Sequence, residues 1–328
     1  MQDDRSSLDG PRVVLLAGGA GGSTFAVGLR DVLVAAGGSL TVICNTADDL
    51  WVHALRVQPD VDSMLYGLAG VKDAERGWGR AGESERVSHE LREWGLGWDW
   101  FALGDLDLGT HIARTSWLRD GDGVGAVVER LNRRWELGAT LLPMTEDEVD
   151  TFVELDDGTI HFQEWWTRHR AKREPRGFAN PGIESARPAP GVLEAIAEAD
   201  VVVLAPSNPV VSIGPILGIP GIAPAIRAAK AHVVGVSPII GGSPVRGMAD
   251  VCLRAVGVEC SATGVAGLYG ARAAGGLLDA WLIAEEDAAE ASRVAELGIH
   301  PVVTPLWMKD VALTRTLAAD ALAAAVPR

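Results

Sequence analysis

Short runs of apolar residues alternate along this chain with longer segments whose apolar positions have a helical spacing. The runs that predict strands lie at residues 12–17, 40–44, 201–205, 233–236, 280–283 and 302–303, and helices are expected at 23–36, 191–199, 221–230 and 309–325. Strands that alternate with helices form parallel sheets with right-handed connections. The pattern therefore predicts an α/β fold built on a doubly wound, mainly parallel, Rossmann-like sheet.

Two regions interrupt this alternation. Residues from about 70 to 136 have mostly helical spacing, which predicts a helical insertion beside the sheet. A second region, about 149–187, begins with two apolar stretches on either side of Asp-Asp-Gly at 156–158, which is typical of a β-hairpin. Its later part, residues 168–187, is basic and contains prolines, so we expect an irregular, mobile loop there.

The start of the chain, residues 1–11, is polar and acidic, which predicts a flexible leader rather than a signal peptide. Residues 12–328 are then expected to form a single nucleotide-binding domain. The longest apolar stretch, 201–226, contains five prolines, so we expect no membrane span. The cysteines lack the spacing of a metal site and are predicted to be buried thiols of a cytoplasmic protein: Cys44, Cys252 and Cys260.

The formal net charge of the chain is −15 at pH 7. Such a balance argues against a nucleic-acid-binding surface, which normally requires a basic stripe. An acidic protein also repels phosphates. A phosphate ligand would therefore need local basic groups or a divalent cation, and magnesium held by carboxylates is the usual solution.

The first predicted strand runs into a glycine-rich turn, which consists of Gly18, Gly19, Ala20, Gly21, Gly22 and Ser23. Backbone N–H groups at a helix N-terminus attract anions, and glycines let a phosphate approach without meeting a Cβ. A packing turn is the alternative to this phosphate or nucleotide site. The turn is no Walker loop, and Ser23 and Thr24 stand where a dinucleotide fingerprint needs its third glycine, so a NAD site is disfavoured.

Polar loops are expected at three further strand ends. The second strand is followed by Asn45, Thr46, Asp48 and Asp49, the 201–205 strand by Ser207 and Asn208, and the 233–236 strand by Ser237, Gly241, Gly242 and Arg246. Ligands of open parallel sheets bind outside the carboxyl ends of the strands, so we expect these loops to surround one ligand with the glycine turn. Arg246 is a candidate phosphate partner because a guanidinium grips oxyanions through two N–H groups.

The adjacent carboxylates Asp48 and Asp49 are the strongest candidates for chemistry. Neighbouring acids on a loop point in different directions, so one can meet a metal ion while the other meets a hydroxyl. Capping of the following helix is the alternative. Asp60 and Asp62 are expected to be ordinary helix-capping residues, and Asp62 is also a candidate metal neighbour.

In the insertion, Asp105 and Asp107 precede an amphipathic helix and are predicted to cap it. His111 and Arg114 are expected to lie one turn apart on the surface of this helix. A contact with substrate and a solvated helix face both stay open for this segment.

Together these segments resemble the CofD/FbiA family. The resemblance follows the chain in order and is carried by residues 17–22, 45–51, 55–62, 205–213 and 237–242, with further similarity at 76–79, 104–115 and 162–166. Members of this family are the 2-phospho-L-lactate transferases, and in actinobacteria the phosphoenolpyruvate transferases, of coenzyme F-420 biosynthesis. Two positions depart from the family pattern: Leu106 stands where a basic residue linked with acceptor binding is usual, and Ala47 stands where glycine is common.

The resemblance implies a transferase reaction. A GDP-activated phospholactate or phosphoenolpyruvate donor is attacked at phosphorus by the terminal ribityl hydroxyl of the deazaflavin Fo. GMP leaves, and (dehydro) coenzyme F-420-0 forms. The resemblance also implies a magnesium cofactor, a helical insertion that covers the tricyclic ring of Fo, and a cytoplasmic homodimer.

It further implies roles for individual residues. Asp49 and Asp48 are the catalytic candidates, and the magnesium ligands are expected among Asp48, Asp49 and Asp62. The candidates for substrate binding are Gly18, Gly19, Gly21, Gly22, Ser23, Asn45, Thr46, Asp105, Thr115, Ser207, Asn208, Ser237, Gly241, Gly242 and Arg246.

Two other functions stay open. The first is a non-catalytic, YvcK-like regulator that binds a nucleotide sugar; the motifs at 45–51 and 207–210 favour the transferase over it. The second is a nicotinamide-dependent oxidoreductase, in which Asp48 would bind the ribose, but the chain lacks the third glycine that such a site requires.

Overall fold

The structure is a computed structural model that describes residues 10–96 and 100–325. Residues 1–9, most of the expected leader, lie outside the described residues. The strands are β1 (Arg12–Ala17), β2 (Ser39–Cys44), β3 (Leu50–Val52), β4 (Leu55–Val57), β5 (Thr140–Pro143), β6 (Phe152–Leu155), β7 (Gly158–His161), β8 (Gly177–Ala179), β9 (Val201–Leu204), β10 (His232–Val236), β11 (Ile239–Ile240), β12 (Ser243–Pro244), β13 (Ala280–Ile283) and β14 (His300–Val303).

The α-helices connect these strands and cover the sheet. They are α1 (Gly19–Ala35), α2 (Pro59–Leu68), α3 (Arg86–Glu93), α4 (Asp105–Arg119), α5 (Val124–Asn132), α6 (Val192–Glu198), α7 (Gly214–Gly218), α8 (Ile222–Ala228), α9 (Ala249–Ala255), α10 (Ala262–Tyr269), α11 (Ala291–Glu296) and α12 (Val311–Ala324). Short π-helical turns lie at Glu164–Arg168 and Pro209–Ile213.

The central sheet has seven strands in the order β14-β13-β10-β9-β1-β2-β5, and all neighbouring pairs are parallel. The chain builds outward from β1 to β5 and then returns to β9 on the other side of β1. This change of direction is the topological switch point, where open α/β sheets bind their ligands. The predicted doubly wound, Rossmann-like fold is confirmed.

Both faces of the sheet are covered, which explains why most positions in its strands are apolar. Val14 and Leu16 of β1 belong to one hydrophobic cluster together with Ile196 of α6. Val13 and Leu15, which point the other way, pack in a second cluster that includes residues of α1 and α12. Burial on two sides therefore produces the apolar runs from which the strands were predicted.

The structure differs from the prediction at several elements, including the short strands β3, β4, β11 and β12, which were not predicted. Helix α1 begins at Gly19 rather than at residue 23, because the chain enters the helix directly after Gly18, whose backbone is extended. Strand β5 was not predicted, since it is a four-residue edge strand that ends in proline. The loop expected at 168–187 contains β8, which pairs with β6 next to the correctly predicted hairpin β6–β7.

The insertion is helical only in part. Helices α3, α4 and α5 lie within it, but residues 70–85 are an irregular loop closed by a bridge between Lys72 and Arg80. The side chains of Arg76 and Glu83 pair inside this loop, with Nη2 and Oε1 2.7 Å apart. Charged side chains thus help to fix a segment that forms no regular helix.

Two smaller expectations concern membranes and thiols. Over the described residues, no single helix combines the length and apolarity needed to cross a membrane; one pair, Pro209–Gly218 and Ile222–Ala228, reaches both only jointly and is bent by 81°. Cys44 and Cys252 are buried free thiols as predicted. Cys260 is only partly buried, because it lies at a turn before α10.

Candidate functional site

The glycine turn and the loop after β9 meet at the switch point. The backbone N–H of Gly18 donates to Ser207 Oγ (3.2 Å), and this hydroxyl donates to Gly18 O (2.7 Å). A Cβ on Gly22 would lie 2.5 Å from Ser207 Oγ, so the close approach requires glycine there. Gly19 has a φ of +66° and open space around its Cβ position. Packing therefore explains Gly22, while Gly19 leaves room for a ligand.

Asn45 joins two carboxylates at the end of β2. Its Nδ2 donates to Asp48 Oδ1 at 3.0 Å, to Asp60 Oδ2 at 2.9 Å and to Val211 O at 3.3 Å. Asp60 also accepts the backbone N–H of Gly19, so its carboxylate stands at the N-terminus of α1. Asp48, Asp60 and the glycine turn consequently form one cluster, which we call the acidic centre.

The two carboxylates of the acidic centre are nearly inaccessible to water. Burial and the charge of Asp60 raise the pKa of Asp48 well above its usual range, and burial raises the pKa of Asp60 to about 6 although Asn45 and Gly19 lower it. In the described part of the chain, no lysine or arginine forms an ion pair with either acid. Two buried carboxylates linked by one amide are a suitable pair of hard oxygen ligands for a divalent cation.

Asp60 was expected to be an ordinary helix cap, and its place in the acidic centre was missed. It lies in the first turn of α2, where an aspartate is common, and its side chain makes no cap in that helix. A Cβ on Gly18 would lie 2.3 Å from Asp60 Oδ2. The glycine at position 18 is therefore a sequence signal for the close approach of the Asp60 carboxylate to the turn.

Asp49 lies beside the acidic centre with a different set of partners. Gln58 Nε2 donates to Asp49 Oδ2 (2.6 Å), and Arg56 Nη2 lies 3.5 Å from the same oxygen. The other oxygen, Oδ1, is buried without a hydrogen-bond partner. Burial raises the pKa of Asp49 to about 8, although Arg56 and Gln58 lower it. One oxygen is thus held in place while the other is left to meet a ligand.

Helix α4 holds Arg56, which sequence analysis did not single out. The backbone N–H of Arg56 donates to Thr115 Oγ1 (2.8 Å), and Arg114 Nη1 donates to Arg56 O (3.3 Å). The hydroxyl of Thr115, a predicted substrate ligand, is therefore used to fix β4. The insertion therefore determines the position of the Arg56 guanidinium, which faces Asp49.

Asp62 takes part in a separate buried network on α2 and α4. Both of its carboxylate oxygens face the guanidinium of Arg114, one of them at 3.0 Å. His111 lies between Asp62 and Asp107, and Tyr66 donates its hydroxyl to Asp107 Oδ1 (2.6 Å). Ligand atoms of the two aspartates and His111 come within 4.8 Å of one another, but the carboxylate of Asp62 is already paired with Arg114.

The expectation that His111 and Arg114 lie on the surface is wrong. The exposed fractions of these residues are 1% and 0%, because the face of α4 that carries them packs against the acids of α2. A charged helix face was assumed to be solvated, and the buried counter-ion of Arg114 is Asp62, which comes from a helix 52 residues earlier in the chain.

Several predicted ligands are engaged in local hydrogen bonds. Ser23 Oγ donates to Ser63 O, Asp105 accepts from the backbone and hydroxyl of Ser84, Asn208 caps the turn that follows it, and Ser237 bonds within its own loop. Gly241 donates its N–H to Asp287, whereas Gly242 has open space around it. Thr46 Oγ1 is buried without a partner. Of this group, Thr46 and Gly242 remain available to a ligand.

A cleft of about 320 Å³ opens next to Asp49. It is lined by Leu50, Trp51, Trp100, Asp150, His161, Glu164 and Arg168. His161 Nδ1 accepts the N–H of Gln163, so its Nε2–H donates to the carbonyl of Asp49 at 3.2 Å. The hairpin region therefore forms one wall of the cleft, and Trp100 of the insertion belongs to another. Another cavity, of about 340 Å³, lies near the sheet edge between β14 and the end of α12.

The fold and the site define a Rossmann-type α/β protein with buried carboxylates at its ligand-binding edge. Residues 13–313 match the family model described as 2-phospho-L-lactate transferase CofD. The chain therefore belongs to the CofD family. This membership confirms the resemblance and the expected class of enzyme, a transferase of coenzyme F-420 biosynthesis.

Curated relatives are similar over nearly the whole chain. A phosphoenolpyruvate transferase of Nocardia farcinica is 47% identical over 97% of this chain and 96% of its own length. Proteins of the same name from Thermobifida fusca and Mycolicibacterium smegmatis are 50% and 45% identical, over 95% and 93% of this chain and over 97% and 96% of their own lengths.

Solved structures support the architecture. Two crystal structures of a Bacillus halodurans protein, described as a member of the UPF0052 family, align with TM-scores of 0.63 and 0.62 at 19% identity. Each covers 96% of this chain and 100% of the aligned protein. At this identity the similarity concerns the fold alone.

Proposed function

We propose that this chain transfers a phosphoenolpyruvyl group from a GDP-activated donor to the terminal ribityl hydroxyl of the deazaflavin Fo. The hydroxyl oxygen forms a new bond to phosphorus, and the bond from that phosphorus to the oxygen shared with GMP breaks. The hydroxyl proton passes to the protein. The products are dehydro coenzyme F-420-0 and GMP.

The observation that carries the proposal is the free oxygen of Asp49 beside the acidic centre, at the edge of the sheet where α/β proteins bind nucleotides. The choice of phosphoenolpyruvate over phospholactate is supported by the names of the curated relatives, which are 45–50% identical to this chain. The two donors differ in one carbon centre, for which the residues themselves give no criterion.

A magnesium ion fits the acidic centre, with Asp48 and Asp60 as the residues that would hold it. Both carboxylates are buried, and Asn45 is the amide that donates to each of them. Magnesium in phosphoryl-transfer sites is bound through one or two carboxylates and the phosphates of the substrate. When bound, it would neutralise charge on the phosphate oxygens of the donor.

The chain itself orients the hydroxyl and accepts its proton. Gln58 and Arg56 fix Oδ2 of Asp49, which leaves Oδ1 to accept a hydrogen bond from the attacking hydroxyl. Because burial raises the pKa of Asp49, its carboxylate has a higher affinity for that proton than an exposed aspartate has. Asp49 therefore acts as the general base.

The cleft beside Asp49 is suited to the ring system of the acceptor. Its aromatic walls, Trp51 and Trp100, can pack against a flat tricycle, while Asp150 and Arg168 provide polar contacts. A ring bound there would have its ribityl chain close to Asp49, since Trp51 is only two residues further along the chain. The hairpin region then shares the acceptor site with the insertion.

Trp51→Ala is expected to raise the KM for Fo by about 10- to 100-fold, because stacking of a base on an aromatic side chain is worth roughly 1–3 kcal/mol. Steady-state kinetics at a saturating donor concentration measure the effect. Trp51→Phe keeps a flat ring and should restore most of the affinity. Trp94→Ala, which removes an exposed tryptophan directly after α3, is the matched control. An unchanged KM in Trp51→Ala would remove the acceptor from this cleft.

The direct test of the function combines the purified protein with magnesium, Fo and the GDP-linked donor. We expect GMP and the coupled deazaflavin to form in equal amounts, faster with the phosphoenolpyruvyl donor than with the phospholactyl donor. Retained binding of GDP without any turnover would instead favour a nucleotide-binding regulator. Binding of NADH without binding of GDP would favour an oxidoreductase.

A further inference from the structure

Two cationic side chains from different loops approach each other beside the start of α1. Lys72, in the irregular loop of the insertion, donates from Nζ to Ser23 Oγ at 3.1 Å. Arg246, in the loop after β12, is close enough for its charge to act on Lys72. Nη1 of Arg246 is 2.9 Å from the position that a Cβ on Gly77 would occupy, so the guanidinium lies against the insertion loop.

Ion pairs with carboxylates of the protein do not explain why Lys72 and Arg246 lie here. The chain has 44 acidic and 29 basic residues, yet over residues 10–96 and 100–325 no carboxylate forms an ion pair with Lys72 or Arg246. Burial lowers the pKa of Lys72, and the charge of Arg246 lowers it further. Lys72 is partly buried and Arg246 is exposed, and two like charges held close together are disfavoured unless an anion lies between them.

The position of Lys72 and Arg246 indicates which anion would lie between them. Ser23 lies one turn into α1, the helix whose first residues form the glycine turn. The N–H of Gly19 is already taken by Asp60, so the protein supplies its own anion at the very start of this helix. Lys72 and Arg246 therefore add positive charge near the glycine turn, in addition to what the helix provides.

We propose that Lys72 and Arg246 jointly bind the diphosphate of the nucleotide donor and thereby join the insertion loop to the loop that contains Arg246. The proposal rests on the proposed function and names Lys72, outside the polar strand-end loops, as a binding residue. A diphosphate carries enough charge for both cations and offers oxygens on two phosphorus atoms, so one side chain can meet each phosphate.

The experiment compares Lys72→Gln and Arg246→Gln with two charge-matched controls, Lys230→Gln and Arg227→Gln. The control residues are exposed and lie near the amino-terminal end of β10, at the opposite edge of the sheet. Calorimetry measures binding of GDP and, separately, of inorganic diphosphate to the full chain with magnesium present. Each test variant should bind both probes about tenfold more weakly or worse, whereas the controls should bind as the wild type does. Affinity should also fall less steeply with added KCl in the test variants.

The outcomes separate this proposal from the proposed function. If the wild type shows no turnover but the two test variants bind both probes more weakly than it does, the diphosphate site is supported and the transferase reaction is rejected. Turnover with equal GDP affinity in the test and control variants would overturn the diphosphate site alone. A wild type that binds neither probe would overturn the diphosphate site too.

Discussion

Asp49→Asn is expected to lower kcat by about 10²- to 10⁴-fold, the range by which a positioned general base accelerates a reaction. The substitution preserves the shape of the side chain. Its amide oxygen can still face Gln58 and Arg56, as Oδ2 of Asp49 does. Its NH₂ group would replace Oδ1, so the atom that should accept the proton of the hydroxyl becomes a donor. The loss should therefore appear in kcat.

The measurement is the initial rate of GMP formation at saturating Fo and donor. Thermal unfolding of the variant checks that the fold is retained, and Asp157→Asn, at an exposed carboxylate of the hairpin turn, is the control. A variant with folded structure and a near-wild-type kcat would show that Asp49 is not the base. A rise in KM alone would give Asp49 a role in binding instead.

Asp60→Asn is expected to abolish the stabilisation by magnesium and to lower turnover by about 10²-fold or more, since a bound cation supplies several kcal/mol of charge stabilisation. The ion should raise the unfolding temperature of the wild type, because a ligand that binds only the folded state stabilises it. In the variant, one of the two carboxylates that would hold the ion is gone. Differential scanning fluorimetry with and without magnesium measures the difference.

The same variant should not lose stability when magnesium is absent. Burial raises the pKa of Asp60 to about 6 in the folded protein, so its ionisation at pH 8 disfavours the folded state. Asparagine removes that charge and keeps an acceptor for Asn45. We therefore expect the metal-free variant to unfold at the same temperature as the wild type or at a higher one.

Asp62→Asn is the matched control, two residues away on the same helix. Removing this carboxylate leaves the buried guanidinium of Arg114 without its partner, which should cost about 3–5 kcal/mol of stability. The increase in unfolding temperature on adding magnesium should remain. If Asp62→Asn lost that increase while Asp60→Asn kept it, the ligand set expected from the sequence, which includes Asp62, would be favoured.

The sequence predicts the fold well because the sheet is covered on both faces. Strand β9 is apolar at every position and β1 is apolar from Val13 onward, so the places of both strands can be read from the sequence without knowing their contacts. Because the strands are parallel, the loops at their carboxyl ends lie at the same edge of the sheet. Short edge strands were missed because β5 and β8, of four and three residues, are too brief to show a period.

The acidic centre was predicted only in part, since its members come from different elements. Asp48 follows a strand and could be found, whereas Asp60 comes from α2 and reaches the glycine turn only after folding. Arg56 and Arg114 were missed or assigned to the surface for a related reason. A periodic pattern shows which face of an element is apolar, but burial of a charge depends on a partner in another element.

Helix α4 hydrogen-bonds to both the N–H and the carbonyl of Arg56, and this limits how the enzyme can be redesigned. A substitution that displaces α4 by a fraction of an ångström would also displace the Arg56 guanidinium that faces Asp49. This holds even where the substituted residue is far from both Arg56 and Asp49. Attempts to broaden acceptor choice are therefore best confined to the outer rim of the cleft. The buried side of α4 should be left unchanged, because it sets the position of Arg56 opposite Asp49.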